Sequence, residues 1–418
     1  MVDAKPVKGI QSFADFKREL EIGQHSAYGS RPNAKVRSAS AFDEQRRHLI
    51  DMYADVEASH SFQDSGGQIF DCIPIKSQPA LKKSGAPLAM PPSLPQATAV
   101  AGQTTKVAPP LHEGRLDAHG NEMNCPSGTV AIRRLTLEEL TKFETLDHFL
   151  KKSPRRPRRH FRSHAVKVAG VAPQEESTPH EYAHAAQDVA NLGGHSILNV
   201  WPLTVQKPEI FSLSQQWYVA ETAAVLQTVE VGIQVYPEKY GHAKPVLFTY
   251  WTADGYQTTG AYNNDNKDFV LWGSAYSPGM ALDDVSQPDG NQVELEVSYF
   301  LHDSNWWLFV GGTDQNSAVG YYPASLYRNG PLETGATSID FGGETVGVGK
   351  YPPMGSGSFA AGGYKVAAYQ RSIYFYDPSG NVVPARLETS QDWPNSYTIE
   401  MTSGDDWGEA FYFGGPGG

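Results

Sequence analysis

From about residue 180 to Gly418 the chain runs through short segments of Val, Ile, Tyr, Phe and Trp, separated by turns of Gly, Asn, Asp and Pro. Trp217–Ala220, Lys244–Thr252, Val293–Leu301, Trp306–Val310 and Tyr364–Tyr376 are examples. Many short strands without long helices between them leave few ways to bury a core. The pattern predicts a mainly β fold, an antiparallel sandwich or barrel of about 240 residues. The 40 glycines, 29 prolines and 47 aromatic residues of the chain fit that texture.

Residues 1–170 read differently. Ser40 is placed to cap a helix running to about Ser59, with Phe42, Leu49, Tyr53 and Val56 on one side. Thr136 and Glu139 have capping-box spacing and predict a second helix over 136–150. Residues 82–110, rich in Pro, Ala, Ser and Gln, read as a linker, and 151–178 as a basic connector open to proteolysis. The expected organisation is an N-terminal extension (1–39), a smaller, partly helical domain (40–170) and a β-domain (179–418).

Charge divides along the same line. Residues 1–170 hold 25 Lys and Arg against 18 Asp and Glu, a balance of +7, while the remainder holds 9 against 28, a balance of −19. Opposite signs predict that the two parts attract each other. The basic run from Lys151 to Arg162 is short, proline-broken and tied to an acidic body that phosphate would avoid, which argues against a nucleic-acid partner. No apolar run approaches the roughly 20 residues needed to cross a bilayer, so no membrane partner is expected. Met1 to Leu20 lacks the apolar stretch of a signal peptide. The two cysteines, Cys72 and Cys125, exclude a cysteine-built zinc site and leave one disulfide open.

The chemistry-bearing residues stand out by their poverty of charged neighbours. Glu230 lies in Thr228-Val229-Glu230-Val231-Gly232-Ile233-Gln234-Val235-Tyr236, where Val229, Val231, Ile233 and Val235 form one face of a strand. Glu230 shares the other face with Gly232, Gln234 and Tyr236, the lining of a cleft or simply the polar side of a half-buried strand. Glu344 lies in a second such segment, Ser338–Val346.

Several segments in order resemble the neprosin family, secreted glutamic peptidases made as precursors with an N-terminal activation domain. Asp71-Cys72-Ile73-Pro74-Ile75, Gln78-Pro79-Ala80-Leu81 and Cys125-Pro126-Ser127-Gly128-Thr129 are similar to that activation domain. Phe211-Ser212-Leu213-Ser214-Gln215, the Glu230 strand, Asn305-Trp306-Trp307, Gly320-Tyr321-Tyr322-Pro323, Phe341-Gly342-Gly343-Glu344, Met354-Gly355-Ser356-Gly357 and the terminal Tyr412-Phe413-Gly414-Gly415-Pro416-Gly417 are similar to its catalytic domain. The resemblance implies a two-sheet antiparallel β-sandwich preceded by a pro-domain that acts as an intramolecular inhibitor. It implies Glu230 and Glu344 as the catalytic pair, Gln215 as support for the oxyanion or substrate, no cofactor, and secretion. Its substrates would be proteins or peptides containing proline, cut after that residue. Ile233 stands where the family usually has Trp, and Ser358 where it usually has His.

Two carboxyls brought close share one proton, so that one member can activate water while the other donates. Such a pair works best in acid. Acid would also loosen the attraction between the +7 and −19 parts, with self-cleavage in the connector at Pro157, Pro173 or Pro179 as the expected sequel.

Rival readings remain at this point. His180-Glu181-Tyr182-Ala183-His184 fits H-E-x-x-H, which on a helix, with His195 or Glu209 as third ligand, would make a zinc peptidase. Paired glutamates with Trp251, Trp272, Trp306 and Trp307 also describe a glycoside hydrolase, or a silent binding module. Asp283-Asp284 and Asp405-Asp406 are acidic pairs of the kind that turns supply or calcium binds.

Overall fold

The computed structural model describes residues 7–95, 105–152, 180–222, 225–273, 275–404 and 407–418. The β-rich half is a sandwich of a seven-stranded and a ten-stranded sheet. Five strands carry the site: β1 (His180–Asn191), β2 (Glu209–Glu221), β3 (Leu226–Val235), β4 (Val246–Thr252) and β5 (Ala336–Gly347). They lie in the order β4-β3-β2-β5-β1, all antiparallel, between Ala261–Tyr262 at one edge and Glu388–Gln391 at the other.

Register decides what each face does. Opposed residues of an antiparallel pair share a face. Tyr218, Val229 and Ile339 form one row, which packs inward with Tyr299 and Trp306 of the second sheet. Ile233 belongs to this inner face and is buried, so its departure from the family residue concerns core packing. Asp340, Trp217, Glu230 and Tyr250 form a row on the opposite face, and Gly342, Gln215, Gly232 and Phe248 form the next. A Cβ on Gly232 would lie 2.1 Å from the Ser214 carbonyl oxygen and 2.5 Å from the Gln215 Cβ. The bare glycine is what lets β2 and β3 carry Gln215 at the floor of this face.

The N-terminal half covers that face. Its helix α1 (Phe13–Ile22) buries Phe13, Phe16 and Leu20, so much of the expected extension belongs to the packed unit. Helix α2 spans Ala39–Tyr53, capped by Ser38 rather than Ser40, because the Ser38 hydroxyl accepts from the Ala41 amide. The expected helix over 136–150 is two short ones. Thr136 and Glu139 form the capping box of Leu137–Leu140, and the Thr141 hydroxyl then folds back onto the Leu137 carbonyl. Thr145 caps a fresh start, Leu146–Leu150. Three strands (His60–Gln63, Ile69–Pro74 and Thr129–Arg133) complete the unit, with Cys72 and Cys125 joined in a disulfide.

Residues 82–110 are not simply a linker. Residues up to Ser84 close a helix, and Thr105–Lys106 pairs in parallel with Val293–His302 of the sandwich. The two halves also meet through the Gln78 amide on the Leu271 backbone, His48 on the Asp265 carbonyl and Asp64 on the Ala281 amide. Ion pairs join Lys83 to Asp268, Arg115 to Asp283 and Lys106 to Glu296. The opposed charges of the two halves therefore meet at their interface. Pro157, Pro173, Pro179, Asp405 and Asp406 lie outside the described residues.

Candidate active site

Glu230 and Glu344 stand on the same face, with the Gln215–Gly232 row between their own rows, and neither is exposed to solvent, which removes the reading of Glu230 as a solvated surface residue. Burying two carboxylates is costly unless their oxygens are satisfied. Each has one anchored oxygen. Oε1 of Glu230 accepts from the Tyr256 hydroxyl at 2.6 Å and the Thr228 hydroxyl at 2.8 Å. Oε1 of Glu344 meets His180 Nδ1 at 2.7 Å and accepts from the Tyr182 hydroxyl at 3.3 Å.

The other two oxygens converge on one atom. Nζ of Lys152, from the N-terminal half, lies 2.5 Å from Oε2 of Glu230 and 3.2 Å from Oε2 of Glu344. It also donates to Oε1 of Gln215 at 3.0 Å, and Gln215 Nε2 donates to Glu230 Oε2 at 2.9 Å. Three acceptors match the three protons of an ammonium. Lys152 is fully buried, and its charge faces the rings of Trp217, Phe248 and Tyr250 at 5.6–5.9 Å. It reaches this point because Leu146–Leu150 docks just before it: Lys239 donates to the Phe149 carbonyl and Lys151 to the Gln257 carbonyl.

The point between the two carboxyls and Gln215 is thus occupied by a lysine nitrogen. It fills the space between the two carboxyl groups and bonds one oxygen of each. With it gone, two carboxyls share a buried site and one proton becomes theirs in common. Gln215 keeps an amide donor beside the same point.

The neprosin family model matches residues 208–416, and the neprosin activation peptide matches residues 61–186. The chain belongs to the neprosin family. An activation peptide precedes the neprosin region, and Lys152 lies within the residues matched to that peptide. Similar solved structures include scytalido-glutamic peptidase bound to a transition state analog inhibitor (9% identity, TM-score 0.34, 56% of this chain and 97% of that one). Another is SCP-B, a member of the eqolisin family of peptidases, in complex with the tripeptide Ala-Ile-His (8% identity, TM-score 0.31, 56% of this chain and 96% of that one).

The rivals fail on geometry. His180-Glu181-Tyr182-Ala183-His184 is the start of strand β1, so His180 and His184 share a face but stand about 13 Å apart along it, instead of adjacent on a helical turn. His180 is spent on Glu344 and His184 on Asp340. His195 bonds Glu296 and the Ser372 carbonyl, and Glu209 pairs with Lys350. Among the described residues no three of His, Cys, Asp or Glu are grouped to hold a metal ion. The sugar-stacking platform is likewise lost, since Trp251, Trp306 and Trp307 are core residues. Asp283 is engaged by Ser65, Arg115 and Lys244, and Asp284 accepts from the Ala108 amide.

Lys152, Tyr256, Tyr182 and Thr228 escape the sequence reading, and His180, read there as a zinc ligand, bonds Glu344 instead. Thr228 stands two positions before Glu230 on its strand face and was there to be read. His180 and Tyr182 become visible once the HEYAH segment is placed in a strand. Lys152 gives no such signal, because nothing in its local sequence marks a lysine for full burial.

Proposed function

We propose that this protein is a self-processing zymogen of an acid-active glutamic endopeptidase that cuts after proline, with Glu230 and Glu344 activating the water. The convergence of both free glutamate oxygens and Gln215 on a single nitrogen carries the reading. In the active state a water takes that place, one glutamate accepts its proton, and the other, protonated, donates to the carbonyl oxygen as the water attacks. Preference for proline and secretion follow the family, and the disulfide fits an oxidising compartment.

Acid favours release of the N-terminal half through groups that bind protons more weakly in the complex. Burial lowers His48 and His148, and burial with the Arg133 and Lys244 charges brings His242, packed against Gly66, down to about 4. Burial raises Glu296, but the bond and charge of His195 and then of Lys106 outweigh it and bring it to about 2. Asp283 is lowered in the same manner, burial being outweighed by Ser65, Lys244 and Arg115. A histidine lowered in the complex stays neutral at no cost above its ordinary value, and its contribution is lost as pH falls below about 6.5. Only the Lys106 contact of Glu296 and the Ser65 and Arg115 contacts of Asp283 come from the N-terminal half; these hold the complex above the ordinary carboxylate range and are lost as pH falls below it. Asp64 and Asp268, raised by burial, act in the opposite sense and soften the response.

The test is a time course of the full chain at about pH 3 and about pH 7 with a proline-containing peptide, beside Glu344→Gln. The expected result is shedding of the N-terminal half in acid, then peptide cleavage, with neither step in the variant. A chain that stays whole and inert at both pH values contradicts the reading, as does cleavage that is equally fast in the variant.

A further inference from the structure

Lys239 lies in the helical turn Pro237–Tyr240 that follows β3 and is fully buried. Its ammonium pairs with Asp265 at 2.7 Å and donates to the Phe149 carbonyl at 3.0 Å. It also faces the rings of Phe149 and Tyr262, at 3.8 and 4.7 Å from their centroids. Lys239, Asp265 and Tyr262 belong to the neprosin region, and Phe149 to the activation peptide. Phe149 lies in the last turn of Leu146–Leu150, where a helix leaves its carbonyls unbonded, so this one is available to a donor from outside. Arg133 of the N-terminal half is the more distant partner of Asp265, at 3.8 Å, so Asp265 keeps its nearer cation when that half leaves. Three residues beyond Phe149, Lys152 stands between Glu230 and Glu344. The lining between the two points is continuous. Gln234, on the face of Glu230, donates to the Tyr262 hydroxyl at 3.2 Å, and the Tyr262 ring lies 4.9 Å from that of Tyr250, which faces the Lys152 ammonium.

We propose that Lys239, oriented by Asp265, is a substrate-binding residue of the activated peptidase: its ammonium donates to a main-chain carbonyl of the bound peptide and, with the Tyr262 ring, selects an aromatic side chain at that position. This rests on the proposed peptidase function and deepens it, adding a determinant of specificity away from the scissile bond. Release of the N-terminal half takes from Lys239 a carbonyl acceptor and a ring, and a peptide entering the cleft restores both. Every peptide has the carbonyl, so that contact gives affinity without choice. The ring gives the choice, because an aromatic face attracts an ammonium that an aliphatic side chain does not. Asp265 already balances the charge of Lys239, which leaves little for a carboxylate side chain to gain, and a second cation is repelled. Phe149 lies in a helical turn, so an extended peptide covers its distance from the catalytic pair in about two or three residues.

The test uses the acid-activated full chain and alanine-rich peptides with one proline, in which phenylalanine is placed in turn at each position within about four residues of it. The wild type is expected to favour a single position, about two or three residues from the scissile bond, by about fivefold or more in kcat/KM. Lys239→Met keeps the stem and removes the ammonium. It is expected to raise KM for the favoured peptide about tenfold with kcat nearly unchanged, and to lose the preference. A wild type without a favoured position overturns the proposal, as does a preference that persists in Lys239→Met at an unaltered KM. If the variant does not fold, the wild type alone decides. An alkene in place of the amide that carries the phenylalanine carbonyl is expected to raise KM about tenfold, and an unchanged KM overturns the proposal. A further readout needs no turnover: calorimetry of the acid-treated full chain with the peptide Leu146-Asp147-His148-Phe149-Leu150-Lys151-Lys152. Its affinity is expected to fall about tenfold in Lys239→Met, and equal affinity, or none for the wild type, overturns the proposal. A wild type that binds this peptide through Lys239 but cuts nothing counts against the peptidase reading alone.

Discussion

Lys152→Met is expected to give a precursor that is active before it is acidified. Methionine preserves the length and the apolar stem of the lysine but leaves the Glu230 and Glu344 oxygens without the ammonium they share. Removing one partner from a buried ionic cluster costs roughly 3–5 kcal/mol, because the remaining charges stay buried and uncompensated. If the cost falls on the hold of the N-terminal half, that hold weakens by about 140- to 4,000-fold. The pair itself can relieve the strain by taking up one proton, which is the state that catalysis requires. Both consequences point the same way. Processing and peptide cleavage should appear near neutral pH, where the wild type is expected to be silent, and a gel time course with a peptide assay reads both. Lys152→Arg keeps the charge but not the point geometry, and should fall between the two. A Met variant as latent as the wild type at every pH would show that latency comes from covering the cleft, and that Lys152 merely occupies it.

The site was legible in the sequence where strand alternation and ordered motifs spoke together. Glu230, Gly232 and Gln234 share a face because the valines around them share the other, and the register bears this out. That Glu344 and Gln215 join them rests on β5 lying beside β2 and β2 beside β3, a pairing between segments more than 100 positions apart. Alternation cannot give such a pairing, and only the family resemblance supplied it. Helix ends were legible in kind but not in place: Ser38 and Ser40 are equally good caps by composition, and the packing of Phe42 and Leu49 chooses between them. The HEYAH segment misled because its spacing has meaning only on a helix, while its own residues alternate as a strand does. Lys152 was hidden for a deeper reason. A lysine is buried only when partners from elsewhere in the fold wait for its charge, and no window of sequence contains those partners.

The pair gives its sharpest test in how its substitutions combine. Glu230→Gln and Glu344→Gln each preserve shape and remove one carboxyl, and either is expected to lower kcat by roughly 100- to 10,000-fold, the range of a lost general acid or base. The double variant should be scarcely less active than either single one, since water activation needs both groups and fails completely with one gone. Stability should show the reverse pattern. In each single variant of the precursor Lys152 still has one carboxylate and the Gln215 carbonyl to receive its protons. In the double variant a fully buried ammonium has no counter-charge, which costs several kcal/mol. A melting curve near neutral pH should then place the two singles near the wild type and the double clearly below, or show the lysine pulled out and the N-terminal half open to added protease. Turnover by one single variant at close to the wild-type rate would remove that glutamate from the chemistry. Additive losses in melting temperature would mean that Lys152 treats its two partners independently, and the three charges would not form the closed unit that the distances describe.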